Sequence, residues 1–208
     1  MIFEYIWDLV YQPQRAWRRI RRQNYTLIHC YTAQLIWLAL IPPAAFFIGT
    51  TQMGWSHGGS AYHTLTIASA LPIAVAMYLA ILVGVAGLAT GIHWMERTYG
   101  SRSSFDTCMV LATFVASPVL IAGVVGLLPI LWLDVGVIMA ATAMSCYLMF
   151  VGVPVMMNVS EERGFFFSIS IVTVGLCVLV GLLITAVVLS ATFLPLVIFV
   201  LFCLLIIF

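Results

Sequence analysis

From residue 65 to residue 95 the chain runs for about 30 residues without an aspartate, glutamate, lysine or arginine. A helix needs about 20 apolar residues to cross a hydrocarbon core about 30 Å thick. The run therefore predicts a spanning helix that tilts or projects beyond the bilayer. Four more runs have spanning length, at about residues 27–48, 107–128, 133–156 and 165–189. Ser190, Ala191, Thr192 and Pro195 then interrupt the pattern before a wholly apolar stretch at 196–208, read as a short sixth helical segment. Only 7% of the 208 residues are charged and 64% are hydrophobic. Soluble domains carry roughly 25% charged residues. The fold expected is all-α: a polytopic transmembrane helix bundle of five spans plus a short sixth C-terminal helix.

The eight arginines orient it. They stand at 15, 18, 19, 21, 22, 97, 102 and 163. All fall in the N-terminal arm or in the connections after the second and fourth spans, and none in those after the first and third. This is the positive-inside pattern, which places the N-terminus in the cytoplasm. No cleavable leader is expected, because the first long apolar run exceeds the roughly 7–15 residues of a leader's apolar core. The sequons at Asn24 and Asn158 then face the cytoplasm and stay unused.

Residues 1–23 read as a cytoplasmic, interfacial amphipathic arm, and 24–208 as the transmembrane domain. In residues 1–12, Phe3, Trp7 and Val10 share one helical face, with Glu4 and Asp8 on the other. Pro13 ends that helix and can open the next at its first turn. The second piece carries Arg15, Arg18, Arg19, Arg21 and Arg22, with Trp17 and Ile20 placed to dip into the acyl boundary. Each basic residue near an anionic leaflet is worth about 1 kcal/mol, so these arginines with Trp17 form a candidate site for anionic lipid headgroups.

Little else carries chemistry. The absence of lysine removes a P-loop lysine, a Schiff base and a Ser-Lys dyad. Cys30, Cys108, Cys146, Cys177 and Cys203 each sit alone in apolar runs, which reads as small buried hydrophobes rather than a disulfide framework or a zinc site. The ionisable residues near spans are His29, His93, Glu96, Asp106 and Asp134, all within about a turn of an interface. Asp106 is expected to cap the third span. Asp134 is expected to be satisfied at the start of the fourth. His93 and Glu96, three apart, can share a metal or a hydrogen bond but read as a snorkelling interface pair. His57 and His63 in the outer loop can bind metal, but their six-residue, glycine-rich spacing is a weak signal. Neither a catalytic constellation nor a cofactor is indicated, and nucleic acid is not an expected partner.

Small residues recur inside the spans: Gly84, Gly87 and Gly91 in the second, Gly123 and Gly126 in the third, Gly152 in the fourth, and Gly175 and Gly181 in the fifth. They predict close helix packing, within the bundle or between copies. Pro72, Pro118 and Pro154 predict kinks.

Several stretches carry a resemblance. They are Pro13 followed by Trp17-Arg18-Arg19-Ile20; Gly49-Thr50-Thr51-Gln52 leading to Gly54-Trp55; Cys108-Met109-Val110 through Ser117-Pro118; Leu128-Pro129 to Trp132; and Tyr147 to Pro154, leading to Asn158 and Glu161-Glu162-Arg163-Gly164. Over about residues 13–190 the chain resembles the Yip-one-domain family, the Ypt-interacting proteins, and especially its short bacterial inner-membrane members. The resemblance implies a cytoplasmic N-terminus, about five spans and no catalysis. Its motif candidates here are Gly49, Thr50, Thr51, Gln52, Trp55, Pro118, Asp134, Pro154 and Asn158. The eukaryotic relatives' link to Rab GTPases does not carry over: their Asp-Leu-Tyr-Gly-Pro motif is absent, and Thr113-Phe114 stands where they have Gly-Tyr.

The function expected is a non-enzymatic membrane scaffold or adaptor, whose partners are anionic lipids and either further copies of itself or another membrane protein. The rival is a small-solute or ion transporter, motivated by the intramembrane prolines and by Thr90, Ser117 and Ser145.

Overall fold

The computed structural model describes residues 8–9, 11–23, 34–53, 66–98, 103–128 and 131–175. We label its helices α1 (Pro13–Arg22), α2 (Ile36–Gln52), α3 (Ile67–Glu96), α4 (Phe105–Leu127), α5 (Leu131–Met157) and α6 (161–175). There is no strand among the described residues. Among the described residues, three helices are long and apolar enough to cross a membrane: α3, α4 and the Trp132–Met157 part of α5. They coincide with the second, third and fourth runs of the sequence. The first run is met only in its second half, as the shorter α2, and the fifth only at its start, as α6. Residues 54–65 with Trp55, Gly181, the expected sixth segment and residues 1–7 lie outside the described residues.

α4 is the axis of the bundle. In its most apolar stretch 72% of residues are buried, against 28% in α3 and 22% in α5. Its buried side chains, from Cys108 through Leu120, face α3, α5, α2 and α1 in turn. α3 and α5 flank it and each turns one face outward. On α3 that outer row includes Ile67, Leu71, Val75, Leu79 and Val83.

Local chemistry accounts for the breaks. Pro13 opens α1 at its first turn, where the missing N–H costs nothing. Pro42 and Pro43 sit just inside a restart of α2 at Ile41, so the break in the helix falls immediately before them. α4 is capped by Ser104, whose Oγ accepts from the Thr107 N–H at 3.3 Å. Asp106, expected as the cap, instead stands in the first turn, where the helix dipole favours an acid. Pro118 cannot donate to the Phe114 carbonyl one turn back. The Ser117 hydroxyl donates to that carbonyl instead, at 2.7 Å, so α4 continues through its proline.

The Gly-Thr-Thr-Gln motif works in a similar way. α2 ends in a wide turn over Gly49–Met53, which shifts the backbone pairing by one residue. The Thr50 hydroxyl donates to the Phe46 carbonyl at 2.8 Å and the Thr51 hydroxyl to that of Phe47 at 2.6 Å. A Cβ on Gly49 would run into the carbonyl of Gly126, and one on Gly123 would lie 2.6 Å from the Pro42 ring. These small residues let α2 lie against the far end of α4. At the other end, a Cβ on Gly164 would stand 2.6 Å from the Pro154 ring, so α6 crosses α5 at that pair.

Not every predicted packing glycine behaves this way. A Cβ on Gly87 or Gly91 would meet nothing within 4 Å, so these two are not packing residues within the described bundle. Gly84 is half-buried and Gly175 is buried.

Candidate functional site

The basic arm is built as a helix with two opposed faces. At 100° per residue, Ala16, Trp17 and Ile20 fall within one third of the circumference, and Arg15, Arg18, Arg19 and Arg22 on the opposite side. The first set is buried and the second exposed. Arg21 lies at the border between the two.

The apolar face points into the protein. Trp17 has 0% of its surface exposed. Its ring meets Phe114 edge-on, with centroids 6.1 Å apart and planes at 77°. It fills the space over Gly152, where a Cβ would lie 2.7 Å from the indole Cε2 and 2.9 Å from the Leu111 side chain. Trp17 and Ile20 therefore do not dip into the acyl boundary as expected. The correction has a simple cause: α4 and α5 leave an apolar notch at Gly152, and that notch satisfies an apolar helix face as well as lipid does.

The arginines divide by angular position. Arg21, at the border, donates from Nη1 to the Val155 carbonyl at 2.8 Å and to Asn158 Oδ1 at 3.2 Å. A cation there caps the C-terminus of α5 and meets the negative end of its dipole. Asn158 closes that terminus in the left-handed region, at φ 55°, where asparagine is tolerated better than most residues. Arg19 pairs with Asp8 at 2.7 Å, both side chains being well exposed, which makes a minor contribution to stability. Arg15 donates to Gln12 Oε1 at 2.9 Å. Arg18 and Arg22 are exposed and have no protein partner among the described residues. Arg15, Arg18 and Arg22 follow each other at spacings of three and four, so their head groups form one row turned away from the bundle.

At the same end of the bundle, three donor groups converge. His93 and Glu96 share the last turn of α3, and His93 Nδ1 lies 3.2 Å from Glu96 Oε1. Cys108, in the first turns of α4, sets its Sγ 3.8 Å from Glu96 Oε2 and 4.0 Å from His93 Nδ1. Glu96 is 4% exposed and Cys108 fully buried, while the His93 side chain is 37% exposed. Phe105 holds the His93 ring edge-on at 5.7 Å. The sequence paired His93 with Glu96 by spacing. Cys108 was missed because it joins them across a helix–helix contact that no spacing rule spans.

The remaining polar side chains are mostly internal to single helices. Thr113 donates to the Met109 carbonyl at 2.9 Å and Thr142 to that of Ile138 at 2.8 Å, as Ser117 does to Phe114. Thr90 turns outward and bonds the Ala86 carbonyl. Asp134 differs from the expectation that its helix start would satisfy it. It is 7% exposed, and neither carboxylate oxygen has a partner among the described residues. Ser145, three turns further along the same face of α5, is also buried with no partner among the described residues.

A family model described as the Yip1 domain matches residues 7–182 of the chain. "Inner membrane protein YohC" of Escherichia coli strain K12 is 38% identical over 185 residues, which cover 89% of this chain and 95% of that protein. The protein of the same name from E. coli O6:H1 matches with the same identity and coverage. No solved structure matches.

Proposed function

This chain belongs to the Yip1 domain family of integral membrane proteins, and from that premise we propose that it is a non-enzymatic scaffold of the bacterial inner membrane. It presents a fixed cationic row to anionic headgroups and offers its outer helix faces to other membrane proteins or to further copies of itself. The N-terminus and the arginine-bearing end face the cytoplasm in this reading.

One observation carries it. Trp17 pins α1 to the bundle, so Arg15, Arg18 and Arg22 are held on the side that faces away from it. A loose basic tail would lose conformational entropy on meeting a headgroup; a docked helix has already lost it on folding. Each arginine near an anionic leaflet is worth about 1 kcal/mol.

Native mass spectrometry of the full chain released from nanodiscs tests the lipid part. Phosphatidylglycerol should remain bound to the wild type, and Arg18→Gln with Arg22→Gln should weaken it roughly 30-fold, from about 2 kcal/mol. Equal retention by both would refute the lipid role. Crosslinking in native membranes tests the scaffold part, and a strictly monomeric chain with no partner would refute that.

A second reading, passage of a small solute or ion, is favoured by Asp134 and Ser145. Their polar atoms are buried on one face of α5, with no partner among the described residues. Flux into proteoliposomes that is abolished by Asp134→Asn would establish it.

A further inference from the structure

We infer that His93, Glu96 and Cys108 form a binding site for a transition-metal dication of the zinc type, which clips the end of α3 to the start of α4. The inference is independent of the scaffold reading.

Geometry comes first. Donors at about 2.0–2.3 Å from a tetrahedral zinc stand roughly 3.3–3.6 Å from one another. One ligand atom from each of the three residues lies within 4.8 Å of the other two. The 3.2 Å from His93 Nδ1 and the 3.8 Å from Cys108 Sγ run to different oxygens of Glu96, and Sγ stands 4.0 Å from Nδ1. A metal at their centre therefore asks for a contraction of up to about 1 Å, which a turn of the Glu96 carboxylate and small shifts of the His93 and Cys108 side chains supply. Two of the donors sit one turn apart on a single helix face, and the third is held by the packing of α4, so the triad is assembled before any ion arrives.

Charge comes second. A thiolate and a carboxylate with a neutral imidazole carry two negative charges, which one dication cancels. A buried carboxylate costs several kcal/mol unless it is paired, and Glu96 is 4% exposed. In the metal-free site Glu96 is held by its contacts with His93 and with the Cys108 thiol. On metal binding the S–H bond breaks, an S–metal bond forms, and the proton leaves to solvent. His93 Nδ1 takes up the metal with the ring's single proton on Nε2. The mixed nitrogen, oxygen and sulfur set suits zinc, and not magnesium or calcium, which take oxygen ligands.

Access comes third. His93 is the exposed member, with 37% of its side chain open, so an ion can reach the site from the interface. Three protein ligands leave a fourth position for water.

The test uses the full-length protein in detergent micelles or nanodiscs, stripped with chelator and titrated with Co²⁺ and then Zn²⁺. The wild type should bind one ion per chain and show tetrahedral cobalt bands with a thiolate-to-cobalt charge-transfer band, which zinc displaces. Cys108→Ser should lose the charge-transfer band, whereas Cys146→Ser should keep it. His93→Gln alters the half-exposed ligand and should weaken binding by more than about tenfold. Zinc should raise the thermal midpoint of the wild type and leave that of Glu96→Gln unchanged. His93→Gln supplies the ligand-loss readout even if Cys108→Ser does not fold. No cobalt band in the wild type, a charge-transfer band that survives in Cys108→Ser, or undiminished affinity in His93→Gln would each overturn the site.

Discussion

Replacing Gly152 by alanine should release α1 from the bundle. The new Cβ would lie 2.7 and 2.8 Å from two atoms of the Trp17 ring and 2.9 Å from Leu111 Cδ1. All three are closer than carbon atoms approach without repulsion, and the ring has little room to retreat, being fully buried with Phe114 against its edge. Overpacking of this kind costs about 1–3 kcal/mol. α1 holds to the bundle chiefly through Ala16, Trp17, Ile20 and the Arg21 cap, so the cost should appear as detachment of the arm rather than as loss of the bundle. The fraction of molecules with α1 open should rise roughly 5- to 150-fold.

Trypsin reads this directly, since α1 carries five arginines and must open to be cut. When reclosing outpaces cleavage, the cutting rate follows the open population. Trp17→Phe in the Gly152→Ala background should restore protection, because the smaller ring leaves room for the methyl group. Wild-type cleavage of Gly152→Ala would refute the account. So would Trp17→Phe and Gly152→Ala effects that simply add to within about 0.5 kcal/mol, since contacting residues must couple.

Ser117→Ala should leave the Phe114 carbonyl without its donor and lower the thermal midpoint of the purified protein, at a cost of about 1–3 kcal/mol. Asn158→Val should place a β-branched residue at positive φ and remove the Oδ1 acceptor of Arg21, costing about 1–2 kcal/mol from the backbone alone; Asn158→Gly should recover the backbone part in the same melting assay. Gly87→Ala with Gly91→Ala should not lower the thermal midpoint, because the added methyl groups meet nothing and alanine favours a helix interior over glycine.

The resemblance to the Yip family drawn from short motifs holds over most of the chain. The structure supplies reasons for two of those motifs. Ser117 stands before Pro118 because its hydroxyl takes the hydrogen bond the proline cannot make. The Thr50 and Thr51 hydroxyls back-bond to the Phe46 and Phe47 carbonyls in the wide helical turn, and Gly49 lets that turn lie against α4. Neither arrangement is visible in a string of letters, since both depend on which carbonyl each side chain reaches in the folded turn.

The order of residues alone sets the class of solvent and the lengths of the central helices. Apolar run length against bilayer thickness is a one-dimensional quantity, and α3, α4 and α5 begin and end close to where the runs do. The opposed faces of α1 were equally legible, since helical periodicity is local. What covers each face was decided only in three dimensions. An apolar face reads the same whether it meets lipid or a notch at Gly152, so Trp17 changed from membrane anchor to internal wedge. Gly87 and Gly123 are alike in sequence, yet only Gly123 has a neighbour pressed against it. His93 and Glu96 declared themselves by spacing, but Cys108 joined them through the packing of α4 on α3, a contact between residues far enough apart in the chain that no helical period relates them.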